Sequence, residues 1–309
     1  MNILAPVAII TDSAACLPKE LCHQYRIDTV PYYVHIGQQS YLSGKDLQPE
    51  TFFERLRAAP EVAVSTGAPP IQAFLSAYQK VSTWAKAAVS IHIAGKQSNG
   101  CNAAELASRE SPIPVVVIDS ETTGMAEGFV ALEAARAAAN GESLEQVASK
   151  ARAVVPNVGV IALLENVAFV LRGGRLGGAA RVVSDFLKIQ PMVSVQHNRV
   201  SLCGQVRRRS QGLKALTNKI LDEVRDAPTH LAVHYAEDET EGRTLLEALK
   251  ARVNCVEQYL TRVPIELGAH AGPGVIAVAY YVEKETLDLK QQLSRFTEYA
   301  KEAIRSRLP

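Results

Sequence analysis

The stretch Ala87–Ala104, AAVSIHIAGKQSNGCNAA, decides how the rest of the chain is read. Residues 88–93 form a short apolar run rich in Val and Ile, the pattern of a buried strand. Small and polar residues follow, Gly95-Lys96-Gln97-Ser98-Asn99-Gly100, and the Ala- and Leu-containing run from there to 110 predicts a helix capped by Ser98 or Asn99. Strand, polar Gly loop and helix start together suit an anion, because free backbone N–H groups and the positive end of the helix dipole both favour negative charge. Many α/β crossovers share this pattern without holding a ligand, so the neighbouring segments have to decide.

Upstream, residues 6–10 predict a strand that stops at Thr11-Asp12-Ser13, and Leu17-Pro18 opens a helix to Tyr25. Residues 28–36 are β-rich and 49–58 predict a helix. The polar stop Val64-Ser65-Thr66-Gly67-Ala68-Pro69-Pro70 precedes an amphipathic helix reaching about residue 85. Downstream, a strand at 115–118 closes on Asp119-Ser120. Helices follow at 122–139, ended by Asn140-Gly141, and at 143–154. This alternation predicts a parallel, doubly wound α/β domain over residues 1–158. Four polar strand ends, at 11–13, 65–67, 95–100 and 119–120, are expected on one edge of that sheet, where ligands of open α/β sheets sit.

Beyond residue 158 the pattern changes. Strands are expected at 158–163, 191–195, 200–206, 231–235, 256–260 and 275–281. The second and third of these are joined through a tight turn at His197-Asn198. A helical stretch at 167–171 runs into the basic Gly-rich segment Arg172-Gly173-Gly174-Arg175-Leu176-Gly177-Gly178, and helices are expected at 210–224, 239–251 and 285–305. Residues 159–309 therefore read as a second α/β domain with a mixed sheet.

Composition narrows the function. With 33 Lys and Arg against 32 Asp and Glu in 309 residues, a net charge of +1 offers no global attraction to nucleic acid or an anionic membrane. The 47% hydrophobic content supplies a sizeable core, and no apolar run approaches the roughly 18 residues that span a bilayer. The N-terminus, MNILAPVAIITDS, lacks a basic signal-peptide region, and five scattered cysteines without a C-x-x-C pair suit reduced thiols; the expected location is the cytoplasm. There is no Walker-type loop, strand-linked G-x-G-x-x-G, H-E-x-x-H or G-x-S-x-G, so no nucleotide, metal or cofactor is expected. Asp12, Asp119 and His270 with Ser98 remain a conceivable hydrolytic set.

Several segments, taken in order, resemble the DegV family of bacterial lipid-binding proteins over nearly the whole chain. Asp12-Ser13-Ala14-Ala15-Cys16-Leu17-Pro18 resembles DST-x-DLP, Val30-Pro31-Tyr32 resembles V-P-L, and Ser43-Gly44-Lys45-Asp46-Leu47 resembles D-G-x-D-I. Thr66, Pro69 and Phe74 retain part of TSQPSPxxF, while Lys96, Ser98 and Ala104 retain part of SSKLSGTYQSA. Asp119-Ser120 matches VIDS, and residues 171–176, LRGGRL, resemble YLxxGGRI. Residues 187–191, LKIQP, resemble LKIKPIL, and Val206-Arg207-Arg208-Arg209 resembles VRTR. Gly268-Ala269-His270-Ala271-Gly272-Pro273-Gly274 is close to GTHTGPG. The chain departs at Gly67-Ala68, in place of Ser-Gln, and at Asn99-Gly100-Cys101, in place of Gly-Thr-Tyr.

The resemblance implies a two-domain DegV-like architecture and a carrier, not an enzyme. That carrier binds a long-chain fatty acid and presents its carboxylate to a separate fatty-acid kinase subunit, for acyl-phosphate formation and phospholipid synthesis. It places Thr66 and Ser98 on the carboxylate, His270 and Arg175 beside it, and Arg207 at the position where the kinase docks. The chemistry is consistent: burying a chain of about 16 carbons at about 0.8 kcal/mol per CH₂ supplies the affinity, and the hydroxyls need only orient the head group. An enzyme acting on acyl phosphate or acyl ester, and a lipid-sensing regulatory protein using Arg207–Arg209, are the alternatives. Read without the family, Thr66 and Ser98 are helix caps, His270 a structural histidine, Arg207–Arg209 a solvated face, and Phe52, Phe53, Phe74 and Phe169 core. Gly272 and Gly274 read as close-approach or positive-φ positions.

Overall fold

The computed structural model describes residues 5–175 and 189–283. The expected helix at 285–305, Leu176, Leu187 and Lys188 lie outside the described residues. A four-stranded parallel sheet, in the order β2-β1-β6-β7, is built from β1 (Ala5–Asp12), β2 (Asp28–Val30), β6 (Ala85–His92) and β7 (Val115–Asp119). Strand β6 is buried on both faces over most of its length, as a central parallel strand must be. One face carries α3 (Ile71–Ser82) and α4 (Gly100–Ser108), where Phe74, Tyr78 and Val81 pack with Ala103 and Ala107 onto Ala8, Ile10 and Ala88.

The other face carries α1 (Lys19–Tyr25), α5 (Met125–Ala139) and α6 (Leu144–Val154). Helix α5 is buried on nearly every side, which its Ala-rich sequence permits, and it is shared by two sheets. Val7, Ile9, Val89 and Ile91 meet it from the parallel sheet. Val160, Ala232, Ala277 and Ala279 meet it from a six-stranded sheet of order β10-β9-β8-β13-β11-β12. That sheet comprises β8 (Val158–Leu163), β9 (Gln190–Gln196), β10 (Arg199–Val206), β11 (Thr229–Tyr235), β12 (Cys255–Arg262) and β13 (Ile276–Val282). Only β11 and β12 run parallel, so it is mixed. The β9–β10 turn places His197 and Asn198 at φ of 51° and 58°, the left-handed pair of a two-residue hairpin. Helices α8 (Arg209–Val224) and α9 (Glu239–Lys250) cover its outer face through Leu216, Ile220, Leu245 and Leu249.

A third unit departs from expectation. The polar end at 65–67 belongs not to the parallel sheet but to β5 (Val64–Gly67), in a three-stranded antiparallel sheet with β3 (Tyr33–Ile36) and β4 (Gln39–Leu42). Only the ends of β1, β6 and β7 therefore share an edge. The chain leaves the parallel sheet at Pro31, which has no N–H to continue the ladder, and turns into the β3–β4 hairpin. This small sheet and α2 (Pro49–Ala58) pack against α7 (Ala168–Gly173) and α10 (Ile265–Ala271) through Val34, Phe52, Phe53, Leu56, Phe169, Val170, Ile265 and Ala269. Helix α10, of sequence IELGAHA, is not among the helices expected from the sequence, where Gly268–Gly274 stands only as a motif fragment. Phe52, Phe53, Phe74 and Phe169 are core residues, as expected. All five cysteines are unpaired.

Candidate functional site

The polar strand ends, the small sheet and α10 enclose one cavity of about 650 Å³, a size suited to a small-molecule ligand. Much of its wall is aliphatic: Val160, Ala162, Leu164, Val193, Val195 and Val275 come from or beside the mixed sheet. Its polar residues include Thr66, Ser98, Tyr32, His270, Arg175 and Glu266. Thus Thr66, Ser98, His270 and Arg175, far apart in sequence and on different elements, line the same space. Thr66 arrives there from the antiparallel sheet, not from the shared edge that the strand pattern predicts.

The loop after β6 works differently from the expected anion cradle. Gly95 N–H donates to both Asp119 carboxylate oxygens at 3.1 Å, Lys96 N–H to Asn198 Oδ1 at 3.2 Å, and Gln97 and Ser98 N–H both to Ala94 C=O. Gly100 N–H donates to Ser98 Oγ at 3.2 Å. These five backbone donors are already used, so an anion here is left with side chains and with the N–H groups of Asn99, Cys101 and Asn102 at the start of α4. Asn99 stands at the N-cap of α4 but makes no capping bond; its Oδ1 accepts from Asn102 Nδ2 instead.

Each of the two central hydroxyls has a polar group behind it. Thr66 Oγ1 lies 2.9 Å from His270 Nε2, and Ser98 Oγ lies 2.6 Å from the Tyr32 hydroxyl. His270 is carried by α10 and its Nδ1 has no partner. The ring packs so closely on Gly173 that a Cβ there would fall 2.2 Å from Nδ1. Burial, helped by the positive charge of Arg175, lowers the His270 pKa to about 4, so the imidazole is neutral near pH 7. Glu266, also on α10, accepts from Ser13 Oγ and Ser43 Oγ, and burial raises its pKa. Gly272 has φ of +83°, and a Cβ on Gly274 would fall 2.2 Å from Glu165 Oε2, so both glycines are required by their setting.

Tyr32 and Glu266 escaped the sequence reading as site residues. Val30-Pro31-Tyr32 registered only as a motif fragment, and nothing local marks a tyrosine that reaches Ser98 across 66 positions.

Two further expectations are corrected. The conceivable set of Asp12, Asp119, His270 and Ser98 is not connected: Asp12 accepts from Ala14 and Ile93 N–H and pairs with His92, while Asp119 holds the loop and Asn198. The Asp–His–Ser relay that does exist, Asp12–His92–Ser90, is fully buried with Tyr78 donating to the serine, so its Oγ cannot meet a substrate. The basic run also splits. Arg207 and Arg208 are exposed and outside the cavity lining, whereas Arg209 is half-buried, bonded to Glu241 and to Gly274 C=O. Arg209 is not part of a solvated face. Among the described residues, no helix is long and apolar enough to cross a membrane.

The model of the DegV family, described as uncharacterised proteins, matches residues 6–283, and the chain belongs to that family. It is 30% identical over 275 residues to a DegV domain-containing protein of Mycobacterium tuberculosis, covering 88% of this chain and 96% of that one. Among solved structures, it is similar to a fatty-acid-binding DegV family protein of Thermus thermophilus, with a TM-score of 0.83 and 25% identity over 90% of this chain and 100% of the other. The fatty-acid-binding DegV protein of Bacillus subtilis is likewise 25% identical, with a TM-score of 0.80 over 90% of this chain and 100% of the other.

Proposed function

We propose that this protein binds one long-chain fatty acid, with its tail along the aliphatic wall and its carboxylate against Thr66 and Ser98. The observation that carries this reading is a single cavity of about 650 Å³ whose aliphatic wall meets paired hydroxyls and a cation, Arg175. The fatty-acid-binding DegV proteins of similar fold support it. Methylene burial at about 0.8 kcal/mol per CH₂ drives association. Hydrogen bonds from the two hydroxyls to a carboxylate, worth about 1.5–3 kcal/mol each, choose its orientation. Neutral His270 holds Thr66 from behind, and Arg175 offsets the ligand's charge. Presentation of that carboxylate to a fatty-acid kinase, with Arg207 exposed for docking, extends the proposal; it is supported by the resemblance in the VRTR segment.

The test is direct. Protein purified in detergent-free buffer is denatured, and its extracted lipids are identified by mass spectrometry. Stripped protein is then titrated with palmitate and oleate. Co-purifying fatty acid and stoichiometric uptake are expected, with uptake reduced at least tenfold by Ser98→Ala combined with Thr66→Val. A protein that neither carries nor takes up fatty acid overturns the proposal.

A further inference from the structure

Ser98 Oγ has one proton to donate and two lone pairs. Gly100 N–H, a donor only, occupies one lone pair at 3.2 Å. The Tyr32 hydroxyl, 2.6 Å away on the other side, either takes the serine's proton or gives its own. If it takes that proton, Ser98 has none left for an anion. If it gives its own, both lone pairs are filled and the serine proton has to point elsewhere, into the cavity that Ser98 lines.

We propose that Tyr32 is a positioning residue that makes Ser98 a donor and so sets the preference of the cavity for an anionic head group. This rests on the fatty-acid reading above and names the device behind its head-group choice. Tyr32 is 4% exposed. Burial, reinforced by the charge of Asp12, raises its pKa well above that of a free tyrosine, so the phenol keeps the proton that it must donate.

The seat for this hydroxyl is built into the loop. A Cβ on Gly100 would fall 2.5 Å from the Tyr32 oxygen, closer than any side chain tolerates. Tyr32 and Gly100 are therefore a matched pair: the chain carries the hydroxyl on Tyr32 and clears space for it at Gly100. The arrangement mirrors Thr66 and His270, so each head-group hydroxyl has a polar partner behind it.

The experiment compares stripped wild-type protein with Tyr32→Phe, Gly100→Ala and the double variant, each titrated with palmitate and with hexadecanol. The two probes share a tail and differ in head-group charge, and the thermal midpoint of each variant checks its fold. Tyr32→Phe should weaken palmitate binding about three- to tenfold, the range of one lost hydrogen bond, and change hexadecanol binding less than twofold. Gly100→Ala should show the same selective loss by displacing the phenol, and should add little when combined with Tyr32→Phe. An unchanged palmitate-to-hexadecanol ratio in Tyr32→Phe, or losses that add fully in the double variant, overturns the assignment of Tyr32 while leaving the fatty-acid reading intact. Wild-type protein that binds neither probe overturns both.

Discussion

His234 and His270 both line the cavity and both are neutral near pH 7 because burial disfavours the imidazolium. His234 is the cleaner case: it is 3% exposed, accepts from Met125 N–H through Nε2 and bonds Thr261 through Nδ1. Burial lowers its pKa to about 4, below the value near 6.5 of an unfolded histidine. The folded state therefore resists a proton that the unfolded chain accepts. The stability at stake is fully present above pH 6.5 and drains away as the pH falls toward 4, reaching about 3 kcal/mol at about 1.4 kcal/mol per pH unit. Glu127 and Glu266, whose pKa values burial raises, act in the opposite direction but are common to any His234 variant and its parent. His234→Gln keeps an acceptor for Met125 N–H without a titrating ring. Denaturant unfolding at pH 7.5 and pH 5 should show the parent losing more stability than His234→Gln, and parallel pH dependences would refute this account.

At the scale of the element, α10 joins the antiparallel unit to the polar end of the cavity, where the proposed head group sits. It carries Glu266 and His270, and it approaches α2 closely because Gly268 has no side chain. A Cβ there would fall 2.6 Å from two carbons of the Phe53 ring and 3.1 Å from Phe52, in a pair of rings already packed edge to face at 5.2 Å. Close-packed rings in a core give way only at a cost. Gly268→Ala should lower stability by about 1–3 kcal/mol and, by tilting α10, weaken palmitate binding as well. Urea unfolding and palmitate titration of the same variant check both effects. A stability loss with binding untouched would separate α10 from the head-group end.

At the scale of the molecule, the two large sheets share the buried helix α5, and the cavity draws its walls from both halves of the chain. Such a molecule should unfold in one transition. A ligand at 100 times its Kd adds about 2.7 kcal/mol to the folded state, which for a chain of this size raises the midpoint by about 5 °C. Calorimetry with and without palmitate should therefore show one peak that moves as a unit. Two peaks, with only one moved by palmitate, would show that the halves unfold independently.

What the amino-acid sequence determined by itself is what neighbours along the chain decide. The helix over 49–58, opened by Pro49, was legible to the residue, as were the strand at 158–163 and the tight turn at His197-Asn198. Apolar period, a proline's fixed φ and left-handed turn residues act over a few positions. Thr66, Ser98, His270 and Arg175 were legible as a set only through the resemblance, since nothing local ties residue 66 to residue 270. Tertiary structure alone decided that the strand at 64–67 leaves the parallel sheet, that residues 265–271 wind into α10, and that Asp119, Asn198 and Ala94 occupy N–H groups of the loop after β6. The reason is the same each time: strand partners, helix burial and the owner of a backbone hydrogen bond are settled by groups distant in sequence. The stretch from Ala87 to Ala104 encodes a strand, a loop and a helix start. Tyr32, in the link between β2 and β3, brings a hydroxyl to 2.6 Å from that of Ser98 across 66 positions, which no local pattern could announce.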